Sequence, residues 1–552
     1  MKRRTQKRPE IRSLVNTHPY EIDKGLIVSV SVIVILVLLA YSPALDGSFH
    51  FDDEAIFLDP YIMASNLGLK VFRLMQTRPL TFFSFHLNYL ANGASPWGFH
   101  MVNLFLHAGN SVLVLLIART LVSPLRASLA AVLFAVHPLQ TQAVNYVFER
   151  ATLLAALFAL LSLLLFLKER YGWAAAAFGI SLLAKEETIA LPCFLLIYCA
   201  IQNGKRAGWR SIAIMAGIAG LATTRLFYVL HLTPGAQLGL NTKGVSPFAY
   251  ALTQCRVIWV YLRLFLFPAG LNLQHDMRLS TGLWAPPETL VGLFSLLLVL
   301  AVLGWLTWRH NVPALWVMGF FIVLAPSSSI VPVSDLIFEH RTYFPLAFLF
   351  LAIAVLLQPL PARLLVVTSV LLVPLLLAAT IARNRVWHDE LSLWTDVVEK
   401  SPHKALGYFH LGQAYAASNP DRARELYEQG LKLEPDSPVG HTNLGLVFMS
   451  QGNLDAALQH LQTALMFRED PLARNNLGVV ELRLGQVEEG IRSFRRALQS
   501  DPCRFDARFN LIHALAYLEK QNEAEAAGQA PADCHFLPDQ ERKLAESLRA
   551  LR

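Results

Sequence analysis

Between residues 46 and 59 the chain carries Asp46, Asp52, Asp53, Glu54 and Asp59, five of the sixteen acids in its first 384 residues. The core of the segment reads His50-Phe51-Asp52-Asp53-Glu54-Ala55 and follows an apolar run. A carboxylate held among apolar groups at a membrane surface loses hydration, so its pKa rises toward neutrality and it can act as a general base. Two plainer readings fit the same residues: a solvated acidic loop, or a helix N-cap ahead of Ala55-Ile56-Phe57.

A second pattern is His100, Asn103, His107 and Asn110, spaced 3, 4 and 3, which places all four on one stripe of an otherwise apolar helix. Such a stripe faces a bundle interior or a wet cavity, where it serves a site or glues helices by hydrogen bonds. Further ionisable groups fall near helix ends expected on one side of the membrane: Arg78-Pro79, His137-Pro138, Glu149-Arg150, Lys185-Glu186-Glu187 and Glu339-His340-Arg341. An acid to take a proton, with Arg and Lys to hold a phosphate, suits transfer from a phosphoryl-linked donor. Each pair taken alone also reads as a snorkelling or internally paired ion. The sequence has no Walker A loop, G-x-G-x-x-G, H-E-x-x-H or G-x-S-x-G, so ATP-driven, zinc-protease and serine-hydrolase chemistries lack their markers.

The elements that must position these groups are membrane helices. Of 552 residues, 54% are hydrophobic and 16% charged, too apolar for an ordinary soluble enzyme. Up to Asn384 there are 28 basic and 16 acidic residues (net +12); beyond it there are 19 and 24 (net −5). A basic membrane part is thus followed by an acidic soluble one, and no nucleic-acid partner is implied. Apolar runs long enough to span start with Gly25–Ala44, behind the basic cluster Lys2, Arg3, Arg4, Lys7, Arg8 and Arg12. They continue at 101–121, 127–147, 150–167, 172–184, 188–201, 211–230, 289–308, 313–330, 343–357 and 363–382, eleven in all. Reading Ala251–Pro268 as a re-entrant or interfacial helix leaves Arg119, Arg126, Lys168, Arg170, Lys205, Arg206, Arg210, Arg309 and Arg363 cytoplasmic. The tail then emerges on the non-cytoplasmic side.

The tail repeats. Leu411-Gly412, Leu444-Gly445 and Leu477-Gly478 recur every 33 residues, and Leu511-Ile512 follows 34 later. Small and large residues alternate downstream as Ala423/Tyr427/Gly430, Ala457/Leu461/Ala464 and Gly490/Phe494/Ala497. This is the tetratricopeptide (TPR) pattern, with three clear units and a degraded fourth stacking as an α-solenoid whose concave face takes an extended ligand. The expected organisation is a basic cytoplasmic N-terminus (1–24), a transmembrane domain (25–384), a linker helix (385–404) and a repeat domain (405–552), all-α throughout. Cys193, Cys199 and Cys255 lie in apolar stretches; Cys503 and Cys534 can pair if the tail is in an oxidising compartment.

Several blocks resemble a family. The acidic pair after the first span, Arg78-Pro79-Leu80-Thr81, Gly98-Phe99-His100-Met101-Val102-Asn103-Leu104-Phe105-Leu106-His107, Phe134-Ala135-Val136-His137-Pro138, Leu183-Ala184-Lys185-Glu186 and Phe338-Glu339-His340-Arg341 with Tyr343 and Pro345 are similar, in that order, to the TMTC family of transmembrane, TPR-containing O-mannosyltransferases and their bacterial relatives. The resemblance implies a GT-C-type bundle and an inverting glycosyltransferase using a polyprenyl-phosphate sugar, mannose or another hexose, with a protein hydroxyl as acceptor. It implies Asp53 as general base with Asp52 its close competitor, and Arg78, Lys185 and Arg341 at the donor phosphate. His100, His107 and His340 shape the pocket, with Glu54 and Arg150 beside them. No cofactor is required by it, and a divalent cation is left open. The implied setting is a multi-pass protein of the bacterial inner membrane, or of the ER membrane in a eukaryote, with acceptor proteins reaching the TPR domain. The alternatives are a membrane-anchored TPR scaffold without chemistry, and a transporter.

Overall fold

In the computed structural model the described residues are 23–54, 56, 77–202, 205–232, 245–329, 331–333, 335–531, 534, 536 and 538–550. The basic cluster before residue 23, Asp59 and the side chain of Glu54 lie outside them. Among the described residues the architecture is helical without strands, apart from one isolated bridge between Gly282 and Ala285. The chain divides into two compact units, one ending at Asp389 and one beginning at Glu390.

In the first unit, seven helices among the described residues are long and apolar enough to cross a bilayer: Lys24–Leu45, Pro96–Leu121, Val147–Leu167, Arg206–Val229, Glu288–Trp308, Glu339–Leu356 and Ala362–Val386. The pair Pro124–Ala135 and Pro138–Asn145, bent by 51°, makes an eighth if it counts as one span. The expected eleven are not confirmed. The shortfall lies in Tyr171–Ala184, Leu191–Ile201 and Val312–Leu324, of 14, 11 and 13 residues. At 1.5 Å per residue these rise roughly 16–21 Å, against a hydrocarbon core of about 30 Å. Many helices begin at a proline (Pro79, Pro96, Pro124, Pro247), where the missing N–H loses nothing and the fixed φ favours the first turn. Arg126 closes one end by donating to the carbonyls of Leu357 (3.0 Å) and Leu360 (2.8 Å).

The polar stripe turns inward. His100, Asn103, His107 and Asn110 are buried while Phe105, on the same helix, stays exposed. His107 bonds the hydroxyl of Tyr343 (2.7 Å) and the carbonyl of Ala135 (3.0 Å); Asn110 donates to the carbonyl of Leu153 (3.0 Å) and to Tyr343 (3.2 Å). His107 and Asn110 therefore join helices, whereas His100 lies against the carbonyl of Ser48 in the acidic segment and Asn103 bonds Val144 and Arg150.

In the second unit, four helix pairs follow one another: Ala405–Tyr415 with Pro420–Leu433, Pro438–Ser450 with Leu454–Phe467, Pro471–Arg483 with Val487–Ser500, and Phe505–Tyr517 with Gln521–Gly528. A last helix, Pro538–Ala550, covers the end. The Leu-Gly positions are where paired helices touch. A Cβ on Gly478 would lie 2.7 Å from the Phe494 ring, and one on Gly412 2.6 Å from that of Tyr427. Within the stretch expected as a linker helix (385–404), the helix Glu390–Lys400 packs on the first repeat, with Trp394 stacked on His410 at 4.2 Å. Cys503 and Cys534 form a disulfide that ties the fourth pair to the segment before the capping helix.

Candidate active site

The acidic segment folds as a short 3-10 turn, Phe51–Glu54. Phe51 enters it with a left-handed φ of 54°, a conformation that costs a non-glycine residue of order 1–3 kcal/mol and is retained where surrounding contacts over-determine it. Those contacts are present. His50 holds the carbonyl of Trp387 at 2.6 Å, and the Ser48 N–H reaches the carbonyl of His388 at 3.1 Å.

The turn sends its two aspartates to different environments. Asp53 is fully buried and accepts three backbone N–H groups, from His50 (3.0 Å), Val147 (3.3 Å) and Phe148 (2.7 Å). Burial pushes its pKa up to about 7, against those donors, which favour the ionised form. Asp52 is exposed and accepts one bond, from the Tyr146 hydroxyl at 2.8 Å. Partial desolvation of its carboxylate raises its pKa; the Tyr146 bond opposes this, and the charges of Asp335 and Glu149 add to it.

One five-residue stretch, Tyr146–Arg150, organises the rest. Tyr146 binds Asp52, and the N–H groups of Val147 and Phe148 bind Asp53. Glu149 meets Lys185 at 2.8 Å and His340 at 3.3 Å. Arg150, fully buried, donates to Asn103 (2.9 Å), Asn88 (2.8 Å) and the carbonyls of Phe99 (3.0 Å) and Ser84 (3.3 Å), with its guanidinium against Phe85 and Phe99. Its position is fixed by acceptors that lie 47 to 66 residues away, so sequence could place Arg150 near the site but could not give it a role.

The expected phosphate-holding cations are distributed unevenly. Lys185 is clasped by Glu149 and by Glu187 at 2.6 Å, and Arg78 by Glu186 at 2.8 Å. Burial works against the Glu186 carboxylate, but Arg78 beside it brings its pKa down to about 2. Arg78 has a left-handed φ of 54° just before Pro79, and its guanidinium meets Glu186 in the turn after Ala184. Among the described residues Arg341 makes no ion pair; its guanidinium donates to the Tyr250 hydroxyl (3.2 Å) and the carbonyl of Asp335 (2.8 Å). Lys185, His340 and Glu149 are thus one cluster, with Asp52 within its electrostatic reach. His100 is buried, with one nitrogen 3.4 Å from the carbonyl of Ser48, and His107 has both nitrogens bonded between helices.

Sequence reading missed a dyad. His275 lies 2.8 Å from Glu339, and the same carboxylate oxygen accepts the N–H of Asn272 at 2.7 Å. His275 stands in an irregular segment whose periodicity carries no signal. Its one available hint was an isolated His-Asp pair in a loop on the expected outer side. Among the described residues no group of three or more His, Cys, Asp or Glu is gathered as a metal-ligand set.

Fold and site together define a polytopic helical membrane protein with a carboxylate-and-cation site and a tetratricopeptide tail. The tetratricopeptide repeat family model matches residues 413–474 and 475–530. The chain is similar to a protein O-mannosyl-transferase of Caenorhabditis elegans, 26% identical over 439 residues that cover 73% of this chain and 62% of the relative. It is also similar to one of Drosophila melanogaster, 36% identical over 222 residues (36% of this chain, 23% of the relative), and to another from the same organism, 49% identical over 88 residues (16% and 10%). The chain therefore spans less than two thirds of the length of these relatives. The likeness to TPR-containing O-mannosyltransferases implied by the motifs is borne out by them. Among solved structures the tail matches YrrB, a TPR protein with an unusual peptide-binding site, at 20% identity and TM-score 0.24, over 28% of this chain and 74% of that one.

Proposed function

We propose that the protein is a membrane glycosyltransferase of inverting GT-C type. It moves a hexose, with mannose favoured by the names of its relatives, from a polyprenyl-phosphate carrier to a hydroxyl of an acceptor protein on the non-cytoplasmic face. The observation that carries the reading is Asp52: an exposed residue whose partly desolvated carboxylate has a raised pKa, is oriented by Tyr146 and feels the charge of Glu149 in the Glu149–Lys185–His340 cluster. Asp52 takes the proton of the acceptor hydroxyl as its oxygen attacks the anomeric carbon. The bond from that carbon to the carrier phosphate breaks, and the polyprenyl phosphate leaves with the electron pair. Arg341, which has no carboxylate paired to it among the described residues, takes the larger share of the departing charge; Lys185 and Arg78 contribute only as far as their partners release them. Asp53 holds the turn in place rather than touching the acceptor. This inverts the order of the two aspartates expected from the resemblance.

Because the base must be ionised, raising its pKa moves the onset of activity to higher pH. The kcat/KM of the purified protein is expected to fall on acidification, with a midpoint above the value of about 3.9 for an ordinary aspartate. A profile that stays flat down to about pH 4 in folded protein would contradict an aspartate base in this environment.

The tail is placed outside the cytoplasm, where it brings acceptor proteins to the site, in a bacterial inner membrane or an ER membrane. The Cys503–Cys534 bridge supports that side, because disulfides persist in oxidising compartments. A reporter fused after Arg552 is expected to read non-cytoplasmic; a cytoplasmic reading would separate the repeats from the site. A second reading, a scaffold without chemistry, draws on Arg78 and Lys185 being already neutralised by carboxylates.

A further inference from the structure

Beside the site lies a set of buried polar atoms that have no hydrogen-bond partner among the described residues. Gln140 is 0% exposed, and neither its Nε2 nor its Oε1 is bonded. Gln142 accepts the N–H of His340 at 2.8 Å through Oε1, which fixes its amide plane, and its buried Nε2 is unpartnered. On a neighbouring turn the Oε2 of Glu339 and the Nδ1 of His340 are buried and unpartnered as well. The turns that carry these residues, Pro138–Gln140, Thr141–Asn145 and Glu339–Thr342, pack against one another. The other nitrogen of His340 faces Glu149 at 3.3 Å, so the set adjoins the proposed site.

Leaving a buried donor or acceptor unmade costs about 1–3 kcal/mol each, and native proteins leave few of them. Five such atoms on four side chains call for an occupant. Their chemistry selects it. Two carboxamide NH2 groups donate, whereas a carboxamide oxygen and a carboxylate oxygen accept. A phosphate would want donors alone, and a prenyl chain would want neither. Hydroxyls that each donate and accept match a mixed set, and a rigid ring bearing several of them matches a fixed one.

We propose that Gln140 and Gln142, with Glu339, read the hydroxyls of the sugar carried by the donor and so set which hexose is transferred. The proposal rests on the glycosyl-transfer reading above.

The test uses the full chain in proteoliposomes with polyprenyl-phosphate mannose, polyprenyl-phosphate glucose and bare polyprenyl phosphate. Wild-type protein is expected to prefer one sugar donor by at least about tenfold in kcat/KM. Gln140→Leu and Gln142→Leu should each lose about 10- to 100-fold with that donor and bring the two donors within about threefold of each other. Affinity for the bare carrier should be unchanged. The melting temperature should be equal or higher for Gln140→Leu, which removes an unbonded amide, and lower for Gln142→Leu, which strands the buried N–H of His340. Gln140→Asn, which keeps the amide but withdraws it, serves if the leucine variants do not fold. Retained preference in folded variants, or equal weakening toward the bare carrier, would overturn the proposal and leave the carboxamides holding ordered water. Binding of sugar-bearing against bare carrier can be measured even if wild-type protein transfers nothing. A failed glycosyl-transfer reading and a failed sugar site therefore give different results.

Discussion

Replacing Asp52 by Asn is expected to lower kcat for sugar transfer by about 100- to 10,000-fold while leaving thermal unfolding and donor affinity unchanged. The amide keeps the size of the side chain and a carbonyl oxygen for the Tyr146 hydroxyl, and loses only the capacity to take a proton. Asp53→Asn should behave differently. Both carboxylate oxygens of Asp53 accept backbone N–H groups, so an amide must point its own NH2 at one of them. Charge-assisted bonds are lost and a donor is left facing a donor, which should destabilise the Phe51–Glu54 turn by about 2–4 kcal/mol. Activity falls in both variants, but only Asp53→Asn should also lower the melting temperature. A stable, inactive Asp53→Asn beside a fully active Asp52→Asn would return the base role to Asp53.

The second large effect concerns Arg150. Arg150→Leu is expected to destabilise the membrane unit by about 3–5 kcal/mol, because it strands the oxygens of Asn103, Asn88, Phe99 and Ser84 in a buried setting. Arg150→Lys should recover only part of this, since one ammonium cannot reach acceptors spread around a planar guanidinium and stacks less well on Phe85 and Phe99. Denaturant or thermal unfolding in detergent measures both. A change within about 1 kcal/mol for Arg150→Leu would mean that the network is not what holds the Tyr146–Arg150 stretch.

Charge in an apolar context was readable from the residues. The 100/103/107/110 stripe stands out because an ionisable or amide group in a membrane helix needs a reason, and Asp52, Asp53, Glu149 and Lys185 stand out because charges in a mostly apolar half gather near helix ends. The repeats were readable because the contact they encode, glycine against Tyr427 or Phe494, recurs at a fixed spacing. Other features depended on where distant segments meet. Which aspartate is buried follows from Val147 and Phe148 folding back over the acidic turn, about 95 residues downstream, and from the left-handed backbone at Phe51. The neutralisation of Lys185 and Arg78 depends on three glutamates converging, where the linear motif showed only cations and anions near one another. The pairing of His275 with Glu339 joins a loop without periodicity to a helix start 64 residues away. The span count diverges for a simpler reason. Apolarity marks a helix that avoids water, while crossing also needs length, and helices of 11 to 14 residues supply only the first.

The central claim, that the membrane unit transfers a sugar directly from a lipid phosphate to a protein hydroxyl, is met most directly by supplying purified full-length protein in proteoliposomes with radiolabelled polyprenyl-phosphate mannose and a Ser/Thr-containing acceptor polypeptide. The expected product is labelled polypeptide whose glycosidic linkage has the anomeric configuration opposite to that of the donor. Folded protein that binds acceptor through its repeats yet yields no labelled product from mannose- or glucose-bearing carrier would contradict the claim and leave a scaffold in its place.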